Sequence, residues 1–103
     1  METLLTAKGA ILQALISGPA FGLEVIDRVA QRTGGTVRLH QGSAYPALRT
    51  LERDGLIRSW EGPADEVRAG RPRRYYELTA EGLRTARGHR AALLGFLRPV
   101  TAR

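Results

Sequence analysis

Apolar residues recur at helical intervals through the first third of the chain. Leu4, Leu5, Ile11, Leu12, Leu15 and Ile16 stand three, four and seven apart, which places them on one face of a helix over the first 17 residues. The turn residues of "SGPAFG" end that helix. A second follows with Leu23, Ile26, Val29 and Ala30 on one side, and with Arg28, Gln31 and Arg32 on the other side or at its end. "TGG", Thr33 to Gly35, is a stop signal, because glycine takes the left-handed conformation that closes helices. In "TVRLH" the period changes to two: Val37 and Leu39 alternate against Arg38, as in a short strand.

The segment "QGSAYPALRTLERDGLI" returns to helical spacing. Ser43 is a suitable N-cap, since its hydroxyl can accept from the free amides of a first turn. That start puts Pro46 at the third helical position, where its missing N–H costs no bond. The helix is then expected from Ala44 to about Asp54, closed by Gly55. At about 100° per residue, Ala44, Ala47, Leu48 and Leu51 fall on the inner side and Pro46, Arg49, Thr50 and Arg53 on the outer. Tyr45 falls at the boundary, where it either shields the core or meets a ligand.

Beyond this the period is two again. "IRSWE" and "RRYYELT" read as strands around the polar loop "GPADEVRAGRP", a hairpin with a long arm. Thr79 can cap a last helix, with Glu81 in its first turn as the helix dipole favours. That helix carries Leu83, Ala86, Leu93, Leu94 and Leu97 and ends at Pro99. Three helices followed by a hairpin give a mainly α chain with a small β-hairpin, the winged helix-turn-helix arrangement. Residues 1–79 form that unit, and residues 80–103 a C-terminal helix and tail.

Composition narrows the chemistry. With no cysteine there are no disulfides, thiolates or Cys-based zinc sites, and the two histidines, His40 and His89, lie too far apart in sequence for a metal motif. Ser43 near His40 has no acid placed to orient the histidine, and capping already accounts for the serine, so no catalytic residue is assigned. No cofactor or metal is implied, and no phosphate-binding loop occurs, since "GRPRR" lacks the lysine and spacing. The start of the chain lacks the pattern of a signal peptide, and no run reaches the length of a membrane span. A soluble, cytoplasmic protein without membrane partners is expected.

Charge points elsewhere. The net charge is +6, and 15 of the 16 basic residues are arginine. Residues 1–37 are neutral, while residues 38–74 hold eight arginines against five acids. Arginine makes forked contacts to phosphates and base edges. One helix fits the major groove, and its leading residues reach the bases. Gln41, Ser43, Tyr45, Pro46, Arg49, Thr50 and Arg53 are the candidate residues there, with Arg49 the candidate for guanine and Arg53 for the backbone. Arg68, Arg71, Arg73 and Arg74 sit beside or on the hairpin, where a basic wing meets backbone or minor groove. The alternative for both clusters is a solvated face.

These segments resemble the PadR-like transcriptional regulators over nearly the whole chain. "ILQALISGPAFGLEVIDRV" is similar to the family's first-to-second helix junction, with Gly18, Pro19, Gly22 and Glu24 in place. "GSAYPALRTLERDGLI" is similar to its third helix, and "GRPRRYYELTAEG" to its wing and following helix. Leu23, Ala44 and Phe21 depart from the residues most frequent there. The resemblance implies a homodimeric, DNA-binding repressor whose C-terminal helix packs across the dimer. Leu83, Ala86, Leu93, Leu94 and Leu97 would then meet the partner together with Leu4 and Ile11. These strips would otherwise complete one chain's core. The resemblance also implies release by small aromatic or drug-like molecules. Trp60, with Tyr75 and Tyr76, is the aromatic group available for such an effector pocket, and hairpin packing is the other reading. Two further functional readings stay open, a protein-binding winged helix and a ligand-sequestering dimer.

Overall fold

A computed structural model describes residues 5–63, 67–68 and 71–97. Helix α1, Ala7–Leu15, begins where the Thr6 hydroxyl accepts from the Gly9 amide at 3.0 Å. It buries Ala10, Ile11, Leu12, Ala14 and Leu15, and it packs against all three other helices. Strand β1, Ala20–Phe21, lies inside what the sequence presents as a plain turn. Helix α2, Gly22–Arg32, follows directly, and the Glu24 carboxylate accepts from the Phe21 amide at 3.4 Å.

The turn between α1 and α2 is held by Arg28. Its guanidinium donates to the carbonyls of Ala14 at 3.1 Å, Gly18 at 2.8 Å and Pro19 at 3.0 Å. These oxygens lie at and beyond the end of α1, where helical partners run out. Arg28 is therefore a structural cap, a role that its place on the polar side of α2 does not reveal.

The strand expected at "TVRLH" does not form. Its alternation survives, with Val37 buried and Arg38 exposed, but the Val37 amide donates to the Thr33 hydroxyl at 3.0 Å. That bond continues the closing turn of α2 instead of a ladder.

Helix α3, Gln41–Arg53, starts three residues earlier than the sequence suggests. His40, in extended conformation, is the N-cap, and Ser43 is the third helical residue. The Ser43 hydroxyl accepts from the His40 amide at 3.3 Å and donates to the His40 carbonyl at 3.1 Å, so it braces the entry from inside the first turn. Pro46 is consequently the sixth residue, and its missing N–H leaves the Gly42 carbonyl without its usual partner. Gly42 is exposed, so water can serve that oxygen.

Strand β2, Ile57–Glu61, pairs antiparallel with β5, Arg74–Leu78, and β1 adds to the other edge of β5. Within the long arm, β3, Val67–Arg68, pairs with β4, Arg71–Pro72, so the hairpin extends into the segment read as loop. Helix α4, Ala80–Leu97, is capped by Thr79, whose hydroxyl accepts from the Gly82 amide at 3.0 Å and donates to the Gly55 carbonyl at 2.7 Å. The core joins Ile11 and Leu15 of α1, Val25 and Val29 of α2, Leu48 and Leu51 of α3, Ile57, Tyr76 and Ala86.

Candidate nucleic-acid interface

Helix α3 presents two faces set by its apolar period. Ala44, Leu48 and Leu51 are buried, while Gln41, Ser43, Pro46, Arg49 and Arg53 are exposed and Thr50 is half-buried. Arg49 has no hydrogen bond or ion pair among the described residues, so its guanidinium is not committed to any of them. Arg53 lies 3.4 Å from the carboxylate of Asp54, an exposed pair that competes weakly for it. The nearest acid on the helix, Glu52, is turned toward the sheet and accepts from the Ser59 hydroxyl at 2.7 Å. The outer face of α3 is thus left with positive charge.

Tyr45 packs against the core, and its ring fills the space beside Gly22. A Cβ at Gly22 would stand 2.6 Å from the Tyr45 hydroxyl oxygen and 2.7 Å from Cε1, so glycine is what lets α2 and the ring approach. Burial raises the Tyr76 phenol above its ordinary value, and nearby Tyr45 adds to the effect. Tyr76 therefore stays neutral within the core.

The four wing arginines do not form one group. Arg68 and Arg71 are direct partners in the β3–β4 ladder. Arg74, at the root, donates to the Ser59 hydroxyl at 3.0 Å and lies 3.8 Å from the Glu61 carboxylate. Arg73 is half-buried, with its Cζ 4.4 Å from the centre of the Phe21 ring. In the sequence Phe21 stands out only as a departure from the family pattern and carries no assigned role, because no periodicity links a turn residue to one some fifty positions later.

The residues assigned to dimerisation also separate. Ile11 and Ala86 are each 0% exposed within one chain, which removes them as dimer contacts; helix α1 and the first half of α4 close over them. Leu83 is half-buried, and Leu4 lies outside the described residues. Leu93, Leu94 and Leu97 are 40%, 55% and 74% exposed. Phe96, which the sequence reading passed over, is 89% exposed. Every residue from Ala91 to Leu97 is exposed.

Trp60 stacks on Tyr75 with centroids 6.0 Å apart, and an open depression lined by Arg58, Ser59 and Glu77 adjoins it. A more apolar cavity of about 210 Å³ lies where α1, α2 and α4 meet, lined by Leu5, Ala10, Ala14 and Val29 with Gln13, Arg32 and Arg90 among its polar neighbours. Among the described residues no helix is long and apolar enough to cross a membrane.

Comparison with known proteins agrees with this geometry. The sequence profile described as the transcriptional regulator PadR-like family matches residues 11–88. An uncharacterised protein of Lysinibacillus sphaericus is 25% identical over 72 residues, a match spanning 70% of this chain and 63% of that relative. A PadR family transcription regulator from hypervirulent Clostridium difficile R20291 is 27% identical, with a TM-score of 0.64 over 89% of this chain and 98% of that one. Bacillus subtilis PadR in complex with operator DNA shares the fold, with a TM-score of 0.68 at 20% identity over 93% of this chain and 49% of that one.

Proposed function

Since the chain belongs to the PadR-like family of transcriptional regulators, we propose that it binds double-stranded DNA as a homodimer and represses transcription at a pseudo-palindromic operator. The observation that carries this reading is the outer face of α3. Arg49 has no partner there among the described residues, Gln41 and Ser43 lead the helix, and the one facing acid is drawn off to Ser59. A helix of this kind enters the major groove with its leading residues at the base edges. In this role Gln41, Ser43 and Arg49 read bases, Pro46 and Thr50 flank them, and Arg53 meets backbone. Arg68 and Arg71 of the wing meet flanking phosphates.

The dimer rests on α4. Leu93, Leu94, Phe96 and Leu97 expose apolar surface that the described part of one chain leaves uncovered. A second copy would cover it, and exposed apolar patches on this scale commonly mark interfaces. Residues 1–79 then form the DNA-binding unit and residues 80–103 the dimerisation element. Release by a small aromatic or drug-like effector belongs to the same reading, and a titration followed by Trp60 fluorescence tests it.

Selection of bound duplexes from a random pool tests the whole. The expected product is an inverted repeat whose half-sites are about one helical turn apart. A pool without enrichment would favour a winged helix that binds protein only.

A further inference from the structure

Three rings and one guanidinium form a ladder across the three-stranded sheet. The Arg73 guanidinium lies over Phe21 of β1, with Cζ 4.4 Å from the ring centre. Phe21 meets Tyr75 of β5 edge-on at 5.8 Å, and Tyr75 stacks on Trp60 of β2 at 6.0 Å. Phe21 and Trp60 are the direct register partners of Tyr75 on its two sides, so the ladder follows the pairing of the strands. Because strand side chains alternate, these rings occupy the face opposite Tyr76 and the core.

Arg73 is held there in an unusual way for a surface cation. Its Nε is shielded from water and has no hydrogen-bond partner among the described residues. A buried N–H without an acceptor is costly, so the contact with the ring face must offset part of that cost. A guanidinium reaching out to phosphate would not be seated like this. On the other face Arg74 donates to Ser59, which also donates to Glu52 of α3. Both arginines at the root of the wing are thus tied to the protein, and one tie leads to β1, the segment that enters α2.

We propose that Arg73 is a positioning residue: clamped on Phe21, it sets the direction of the wing relative to the helix-turn-helix and makes no phosphate contact of its own. The proposal rests on the DNA-binding reading above. It leaves the wing's phosphate contacts to Arg68 and Arg71.

The test compares the full chain with Phe21→Leu, Arg73→Ala, the double variant and Phe21→Tyr, each bound to the selected duplex over a range of salt concentrations. Phe21→Leu and Arg73→Ala should each weaken binding about tenfold, the scale of one partly desolvated cation–π contact. The double variant should be no weaker than either single one. The slope of log affinity against log salt should shrink alike in both, by about 0.9 for each phosphate contact the wing loses, although Phe21 carries no charge. Phe21→Tyr, which keeps the ring, should bind like the parent. Arg73→Lys serves if Phe21→Leu does not fold: it keeps the charge and loses the flat stacking group, so affinity should still fall. Wild-type affinity and slope in Phe21→Leu, with a loss confined to Arg73→Ala, would make Arg73 a direct phosphate contact and overturn the proposal. Additive losses would overturn it too. A parent protein that binds no duplex would instead sink the DNA-binding reading, and this proposal with it.

Discussion

Helix α4 starts on the turn before β2, and one glycine makes that approach feasible. A Cβ at Gly82 would fall on the Leu56 carbonyl, only 2.8 Å from its carbon and 3.3 Å from Leu56 Cα. Those are backbone atoms, and they cannot swing away. The Leu56 oxygen accepts from the Thr79 amide at 3.1 Å, and the Gly55 oxygen accepts from the Thr79 hydroxyl. Relieving the collision means moving α4 off the turn and weakening both bonds. Overpacking of this kind costs about 1–3 kcal/mol, and two lost hydrogen bonds add about 1 kcal/mol each. Against this stands the gain of about 1 kcal/mol from replacing a helical glycine by alanine. Gly82→Ala should therefore lose about 2–4 kcal/mol in stability. Gly88 lies in the same helix, and a Cβ there meets nothing within 4 Å. Gly88→Ala should show only the propensity gain, about 1 kcal/mol. Urea unfolding at one fixed protomer concentration measures both, because the proposed dimerisation would make apparent stability depend on concentration. Equal effects of one sign would refute the seating of α4 on Leu56.

Three other expectations follow from named contacts. Arg28→Met keeps the aliphatic stem but frees three carbonyls, and it should cost about 2 kcal/mol in urea unfolding, as for hydrogen bonds to a charged donor. The parent should sediment as the proposed dimer, and Leu94→Glu combined with Leu97→Glu should give a folded monomer at the same concentration, because both side chains are exposed in the single chain. For Tyr76 the folded protein holds the phenolic proton more tightly than the unfolded chain does. Its contribution is therefore complete below the ordinary phenol value of about 10 and is lost as pH rises through the raised one. Tyr76→Phe should remove that part of the alkaline loss in urea midpoints measured against pH.

Helical period made much of this legible in the sequence. The inner face of α3, with Leu48 and Leu51, and the body of α1 are where apolar spacing places them, whereas α2 buries Val25 with Val29 and leaves Leu23, read on its apolar side, 39% exposed. The start of α3 was not legible, because a serine braces a helix equally well as the cap or from the third position, and only the backbone of His40 decides. Hence Pro46 lies a turn deeper than expected. Alternation at Val37 and Leu39 was real, yet both edges of β5 are taken by β1 and β2, and Thr33 holds the Val37 amide. The two residues of β1 carry no period. Long-range ties were also invisible: Arg28 on three carbonyls, Arg73 on Phe21, Tyr45 across Gly22. Ile11 and Ala86 read as interface, with one chain's core as the alternative, and within the single chain both are 0% exposed where α1 packs on α4.

Arg49 on the outer face of α3 allows the most direct test of DNA recognition. Affinities of the parent and Arg49→Ala for the selected duplex and for random duplex would be followed over a salt series. The parent's log affinity should fall steeply and linearly with log salt, by about 0.9 for each phosphate contacted. Arg49→Ala should cost about 1–3 kcal/mol on the selected duplex and much less on random DNA, narrowing the ratio between them. Absence of duplex binding at low salt, or an equal loss on both duplexes, would contradict recognition through this face.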